Sequence, residues 1–386
     1  MNEDKRKVIE NKLAELTQAI GHNPKNAELY SDRGNAHKDL SMNKEALEDY
    51  NMAVELDPHF GVAYFNRGIF HEHIGEYDHA LGDYNVALAV QPDLTIALNN
   101  RGLLLSGMGR IDAARADFSK AASVDPKCAD AVFNHGKLLF ELERDEEAIG
   151  YLMQTLERDP KYARAYATIG LIYKRKTLFD QAMECFDKAL AIDPENDFFY
   201  QNRGALFQYR GDIESATADY ERAMSINPEN ADVYYNRGML YQYRGKFQEA
   251  LNDYVKALEL EPDYTGALNN RGALYHQLGK LKPALADYNR LLELEPENAD
   301  GYYNRGNLME DLNENRKALE DYGKALDLKP GYVQAHFNRA ITHRKLGQSA
   351  EAIGDFQACI GLLGEDPNYT QWIQIAEKNI KELKES

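Results

Sequence analysis

Cationic side chains are in deficit in this chain: Lys plus Arg number 45 against 63 Asp plus Glu, for a formal net charge of −18. That balance opposes a phosphate backbone over most of the surface and argues against nucleic-acid binding, single-stranded RNA included. Long apolar runs are missing, and the N-terminal MNEDKRKVIENKL carries charge where a signal peptide has its apolar stretch. The expectation is a protein that is neither membrane-embedded nor secreted. Cysteine is scarce: Cys128, Cys185 and Cys359 are odd in number and far apart, which argues against a disulfide framework and for a reducing, cytoplasmic setting. Catalytic signatures are missing as well. There is no phosphate-binding glycine loop, no Cys or His cluster at metal spacing and no nucleophile with a plausible base. His71 and His73, two apart, point to different sides of a helix, and His79 falls on the next one. No catalytic residue, cofactor or metal is assigned, and the chain is read as a non-enzyme.

Proline is placed with a clock. Ten of the twelve prolines stand 34 residues apart, at Pro24, Pro58, Pro92, Pro126, Pro160, Pro194, Pro228, Pro262, Pro296 and Pro330. A fixed period of this size marks a solenoid, whose units are too small to bury an apolar face alone and must stack on their neighbours. With units numbered from the third residue after each proline, position 20 is alanine in all ten, from Ala46 to Ala352. Position 8 is glycine in nine, from Gly34 to Gly306, with Ala340 in the last. Position 24 is always large: Tyr50, Tyr84, Phe118, Leu152, Phe186, Tyr220, Tyr254, Tyr288, Tyr322 and Phe356. Small residues at 8 and 20 let two helices approach, and the bulky one fills the space beside them. Each unit therefore reads as an antiparallel helical hairpin, closed by a proline that stops the second helix.

At these residues the chain resembles the tetratricopeptide repeat family. That family's pattern sets a bulky residue at position 4, a small one at 8, an aromatic at 11, alanine at 20, an aromatic at 24, alanine at 27 and proline at 32. One unit supplies Tyr234, Gly238, Tyr241, Ala250, Tyr254, Ala257 and Pro262. Departures include Thr155 and Leu291 at position 27, and Gly364 where the last proline is due. The resemblance implies an all-α, right-handed superhelical solenoid of antiparallel helix pairs, with ten repeats in residues 27–366. Residues 1–26, with Val8, Leu13, Leu16 and Ile20 on one stripe, are expected to form an N-terminal capping half-repeat. Residues 367–386, with Trp372, Ile375, Ile380 and Leu383, are expected to form a C-terminal solvating helix.

Internal covariation predicts one contact. Position 7 is arginine in eight repeats (Arg33, Arg67, Arg101, Arg203, Arg237, Arg271, Arg305, Arg339), and position 23 is aspartate in the same eight. The two repeats without the arginine also lack the aspartate, holding His135 with Tyr151 and Ile169 with Cys185. Pairing across repeats would orphan Asp117 and Arg203, whereas pairing within a repeat orphans nothing.

Position 6 is asparagine in eight repeats: Asn66, Asn100, Asn134, Asn202, Asn236, Asn270, Asn304 and Asn338. Asparagine is a poor mid-helix residue, so its persistence asks for a role. The family resemblance implies one, a ladder on the concave face that grips the backbone of an extended ligand. Bonding to a neighbouring helix is the alternative. Helical geometry assigns positions 2, 5, 9, 12 and 13 to the same wall, with Phe65, Phe133, Tyr235, Tyr303 and Phe337 as candidate anchors and Phe198, Tyr209 and Tyr243 nearby. Lys137, Arg164, Lys174 and Arg175 form a local basic patch suited to an acidic stretch of a partner. No repeat has the position-5 lysine of the family's carboxylate-clamping co-chaperones. The sequence thus points to an adaptor or scaffold for another protein, probed through an extended or disordered segment. An architectural subunit joined through the solenoid's ends or convex face is the alternative, and homo-oligomerisation is the less favoured of the two.

Overall fold

The computed structural model describes residues 3–364 and 369–385, so the expected boundary between 366 and 367 lies outside the described residues. Among the described residues the regular elements are helical. They fall into two compact units, Met1–Pro194 and Glu195–Ser386. The first holds α1 (Glu3–His22) and the pairs α2 (Ala27–Asp39) with α3 (Asn43–Leu56), α4 (Gly61–His73) with α5 (Tyr77–Val90), α6 (Thr95–Gly107) with α7 (Ile111–Val124), α8 (Ala129–Glu141) with α9 (Asp145–Arg158), and α10 (Ala163–Arg175) with α11 (Phe179–Ile192). The second holds α12 (Asp197–Tyr209) with α13 (Ile213–Ile226), α14 (Ala231–Tyr243) with α15 (Phe247–Leu260), α16 (Thr265–Gln277) with α17 (Leu281–Leu294), α18 (Ala299–Asp311) with α19 (Asn315–Leu328), and α20 (Val333–Lys345) with α21 (Ser349–Leu363), then α22 (Thr370–Glu385).

The proline clock sets the helix ends. In nine repeats the second helix stops at position 30, and the residue before the proline turns extended, as at Asp57 (φ −137°, ψ 92°), because the pyrrolidine ring disfavours helical backbone there. In the last repeat Gly364 stands in the proline's place, and α21 runs one residue further, to Leu363. The turn within each hairpin has a second requirement that the sequence reading missed. Position 15 takes positive φ in all ten repeats, on six glycines and on Ser41, Glu143, Thr177 and Asn313.

Within a hairpin, the position-24 side chain lies against the bare backbone of position 8. A Cβ on Gly102 would come within 2.6 Å of the Phe118 ring, and one on Gly68 or Gly306 within 2.7 Å of Tyr84 or Tyr322. These contacts lie below the distance at which atoms can pack, so the glycine is a condition of the ring's burial. Tyr50, Tyr84, Tyr220, Tyr254 and Tyr322 are fully buried as a result. Beside this contact all eight Arg–Asp pairs form within their own repeat, the arginine Nε and Nη2 donating to the two carboxylate oxygens. Examples are Arg67 to Asp83 at 2.9 and 2.6 Å and Arg271 to Asp287 at 2.9 and 2.7 Å. The aspartates are 4% to 7% exposed. Burial raises the Asp253 carboxyl more than Arg237 lowers it. At Asp355 burial also acts upward, but bonds from Arg339 and from His336 (3.1 Å) hold the carboxyl below its ordinary value.

The end helices differ from the expected stripes in detail. On α1 Leu13 and Leu16 are half-buried and Ile20 is buried, but Val8 is 66% exposed, beyond the reach of the first hairpin. On α22 Ala376, Ile380 and Leu383 pack on the last hairpin, and Trp372 meets Phe337 with ring centroids 4.8 Å apart. Ile375 is on the water side instead, and Asn379, bonded by Arg344, takes the inward place.

Two stability effects follow. Arg237→Leu alone leaves Asp253 buried without its fork and is expected to cost about 3–5 kcal/mol in urea unfolding, whereas Arg237→Leu with Asp253→Leu should recover most of that loss. Thr177→Gly should stabilise by about 1 kcal/mol, because a β-branched residue is strained at φ 59°.

Candidate interaction surface

In each unit, successive first helices touch one another, as α2 does α4 and α16 does α18, while successive second helices approach less closely. The first helices therefore form the inner wall of each stack. Positions 5 and 6 of neighbouring first helices meet there, and the asparagine amides are used in that contact. The Asn66 amide donates to Ser31 Oγ at 2.9 Å, Asn134 to Asn99 Oδ1 at 2.8 Å, and Asn304 to Asn269 Oδ1 at 3.0 Å. Asn270 and Asn338 donate to the hydroxyls of Tyr235 and Tyr303, both at 3.2 Å, and Asn338 also to Asn307 Oδ1 at 2.8 Å. Asn100 is half-buried. Asn202 turns back to the Phe198 carbonyl at 2.9 Å, and Asn236 is half-buried. The N–H groups expected to reach a ligand are thus engaged between repeats at most rungs, the alternative named from sequence.

The position-5 aromatics need a similar correction. Phe65 and Phe133 are 6% and 2% exposed and belong to the core. Tyr235 and Tyr303 are half-buried, each with its ring centroid 4.9 Å from the tyrosine that precedes the next first helix, Tyr264 before α16 and Tyr332 before α20. Phe337 packs on Phe356 and Trp372. These rings lock repeats together, because position 5 faces the next first helix. The exposed rings on this wall are Tyr209 (68%), Tyr243 (82%) and Phe198 (43%).

One functional feature escaped the sequence reading. The buried position-24 tyrosines pass under the first helix and donate their hydroxyls to position 12: Tyr84 to Glu72 at 2.7 Å, Tyr220 to Gln208 at 2.9 Å, Tyr254 to Gln242 at 2.6 Å and Tyr322 to Glu310 at 2.8 Å. Burial and, in Tyr84 and Tyr322, the adjacent glutamate push these phenols well above their ordinary range, so they stay protonated donors. A partial signal was available: glutamate or glutamine stands at 12 in four of the six repeats with tyrosine at 24 (Tyr50 and Tyr288 have Lys38 and His276) and in none of the others, where Phe118, Leu152, Phe186 and Phe356 go with Ser106, Phe140, Lys174 and Arg344. The wall opens in places. Between α4 and α6 a cleft of about 410 Å³ is lined by Ile69, Glu72, His73, Asn100 and Leu103.

The basic residues are each partly engaged within the scaffold. Lys137 pairs with Glu141 on its own helix at 3.3 Å, and the Arg164 guanidinium lies 4.7 Å from the centroid of Phe133. Arg175 pairs with Asp145 and covers Phe140 at 4.6 Å. Lys174 is half-buried, and desolvation lowers its ammonium from the ordinary value. In the same two repeats the missing Arg–Asp fork is replaced. His135 stacks on Tyr151 with ring centroids 4.0 Å apart, and Ile169 meets the buried Cys185.

Tetratricopeptide repeat models match residues 27–60 and 231–264, 99–163, 163–196 and 299–332, and a TPR repeat model matches 207–243 and 274–313. Together they span more than half of the chain, which belongs to the tetratricopeptide repeat family. Among solved structures, Pseudomonas aeruginosa PilF is 22% identical over 55% of this chain and 96% of its own, with a TM-score of 0.51. Yeast Tom70 is 19% identical over 98% of this chain and 94% of its own (TM-score 0.45). YrrB, described as a TPR protein with an unusual peptide-binding site, is 24% identical over 48% and 95% (TM-score 0.39). No match was found among curated protein sequences. The family is a protein-interaction scaffold in general and typically non-catalytic, its members binding other proteins or peptides. No helix among the described residues is long and apolar enough to cross a membrane.

Burial pushes His135 from 6.5 down to about 4, with Arg115 and Arg144 acting in the same direction. The folded ring therefore stays neutral while the unfolded chain takes up a proton below its ordinary pKa. His135 subtracts nothing at neutral pH and up to about 3 kcal/mol as pH falls to about 4. Urea unfolding of His135→Phe at both pH values should show that much less acid sensitivity than the wild type.

Proposed function

We propose that the protein is a non-catalytic adaptor that holds an extended segment of another protein along the inner wall of its first helices. The observation that carries this reading is the cleft between α4 and α6, where Leu103 stands 42% exposed beside Asn100 and Glu72. A monomer gains nothing from a leucine held half in water over a cleft, whereas a partner's apolar side chain seated there would bury both. The wall around it is prepared for a main chain. With an N–H of Asn66, Asn134, Asn270, Asn304 and Asn338 held between repeats, these amides and that of Asn100 offer carbonyl oxygens to backbone N–H donors, a role that needs no particular partner sequence. In the second unit Asn202 and Asn236 stand at the same helix position as Asn270, Asn304 and Asn338. There Tyr209 and Tyr243 supply large rings at little entropic cost, and Tyr235, Tyr303, Phe337, Phe65 and Phe133 serve by holding the repeats at a fixed spacing.

Lys137, Arg164, Lys174 and Arg175 favour a segment with acidic residues opposite α8 and α10. A carboxylate at Lys174 would offset the desolvation that its ammonium already bears. Three cysteines without a disulfide suit a reducing, cytoplasmic setting.

Selection from a random-peptide display library supplies the test. Peptides that bind the wild type should lose about tenfold or more in affinity on Leu103→Glu, or on Tyr243→Ala for those held by the second unit. Val86→Ser on α5, outside the cleft, should leave binding unchanged. Equal affinity for the Leu103→Glu, Tyr243→Ala and Val86→Ser proteins would overturn the groove reading, as would light scattering that finds a concentration-dependent dimer which Leu103→Glu dissociates.

A further inference from the structure

Repeat two contains a cluster that the adaptor reading does not use. His71 and His79, separated onto different helices by the sequence reading, converge on Glu76 across the turn between α4 and α5. His71 Nδ1 lies 2.7 Å and His79 Nδ1 3.3 Å from the same carboxylate oxygen, Glu76 Oε2. The two imidazole centroids are 5.2 Å apart, and the donor atoms of all three residues lie within 4.8 Å of one another. Gly75, at φ +81°, makes the turn tight enough to bring them together.

We propose that His71, Glu76 and His79 form a site for a divalent transition metal, zinc by its ligand set, which staples the two helices of this hairpin. Bonds of about 2.0–2.1 Å to a tetrahedral zinc put neighbouring donor atoms about 3.4 Å apart. The His79–Glu76 spacing meets that value as it stands. The His71–Glu76 spacing must open by roughly 0.7 Å to reach it, and Glu76, with its side chain 46% exposed, can rotate to do so. His79, 73% exposed, leaves the fourth position to solvent.

The other ring nitrogen of His71 strengthens the assignment. His71 Nε2 lies 3.7 Å from Asp83 Oδ2, and Asp83 is itself gripped by Arg67. A neutral imidazole has one N–H but here faces two carboxylates, so one lone pair would point at an anionic oxygen. A metal on Nδ1 with the proton on Nε2 removes the conflict and leaves a carboxylate behind the histidine, 3.7 Å away, in the place of the groups that orient metal-binding imidazoles. A second proton on the ring would serve the same two contacts, and the experiment below separates the two.

Repeat ten provides the comparison within the chain. His343 occupies the same position, with Nδ1 2.7 Å from Gln348 Oε1 and Nε2 3.9 Å from Asp355. The histidine-to-turn contact therefore recurs in a second hairpin of the chain. Repeat two adds a carboxylate in place of the amide and a second imidazole where repeat ten has Glu351. Glu76→Gln consequently installs an arrangement that this fold already tolerates.

The test titrates untagged full-length protein with Co(II), read by its visible absorption, and with Zn(II), read by calorimetry. We expect one ion per chain with a tetrahedral cobalt spectrum, and a loss of affinity of about tenfold or more in both His79→Ala and Glu76→Gln, whose exposed side chains leave the fold intact by circular dichroism. Absence of binding, with His71 holding two protons by NMR, would overturn the proposal in favour of a protonated imidazole. Binding that both variants retain at wild-type affinity would overturn it in favour of an adventitious site.

Discussion

The contact between the position-24 side chain and the bare backbone of position 8 sets the distance between the two helices of nearly every hairpin. A ring brought this close to a helix axis leaves no room for a methyl group, and in return it is removed from water completely. Everything else on the hairpin is placed by that distance. Positions 7 and 23 are the immediate neighbours of 8 and 24, so an arginine and an aspartate there meet in fork geometry. The ring is also long enough, when it is tyrosine, for its hydroxyl to emerge beside position 12. A hydrophobic constraint thus organises two polar networks, which is why their buried groups find partners.

The forks and the position-6 asparagines run in different directions. The Arg–Asp forks close each repeat on itself, while the asparagines at position 6 join one repeat to the next through position 5. A solenoid needs both, since its stability is a sum of units and of the interfaces between them. Repeats four and five abandon the first network and substitute an imidazole on a phenol ring and an isoleucine on a thiol. In the same repeats Arg175 and Arg164 lie over Phe140 and Phe133, so cations that would face a partner also serve the scaffold.

Legibility followed the distance over which a pattern could be checked. The forks could be deduced because eight occurrences and two joint losses, all at a separation of 16 residues, behave as an alignment within one chain. The asparagines were harder to assign. Their partner lies 35 residues back and changes identity between serine, asparagine and tyrosine, so no single pair recurs more than twice. Phe65 and Phe133 share their position with the half-buried Tyr235, and only the neighbouring repeat decides how much of each ring is covered. The turn residue at position 15 was missed because Ser41, Glu143, Thr177 and Asn313 hide a backbone requirement that six glycines display.

By itself the sequence determined the helix pair, its proline-set ends, the close approach at position 8 and the salt bridge inside the repeat, because each depends on residues less than one period apart and was written eight to ten times over. Only the tertiary structure decided which amides are engaged, which rings remain exposed and which histidines meet. Those outcomes depend on how one helix faces the next, on rotations of single side chains and on the angle of a turn, none of which leaves a periodic mark in the chain.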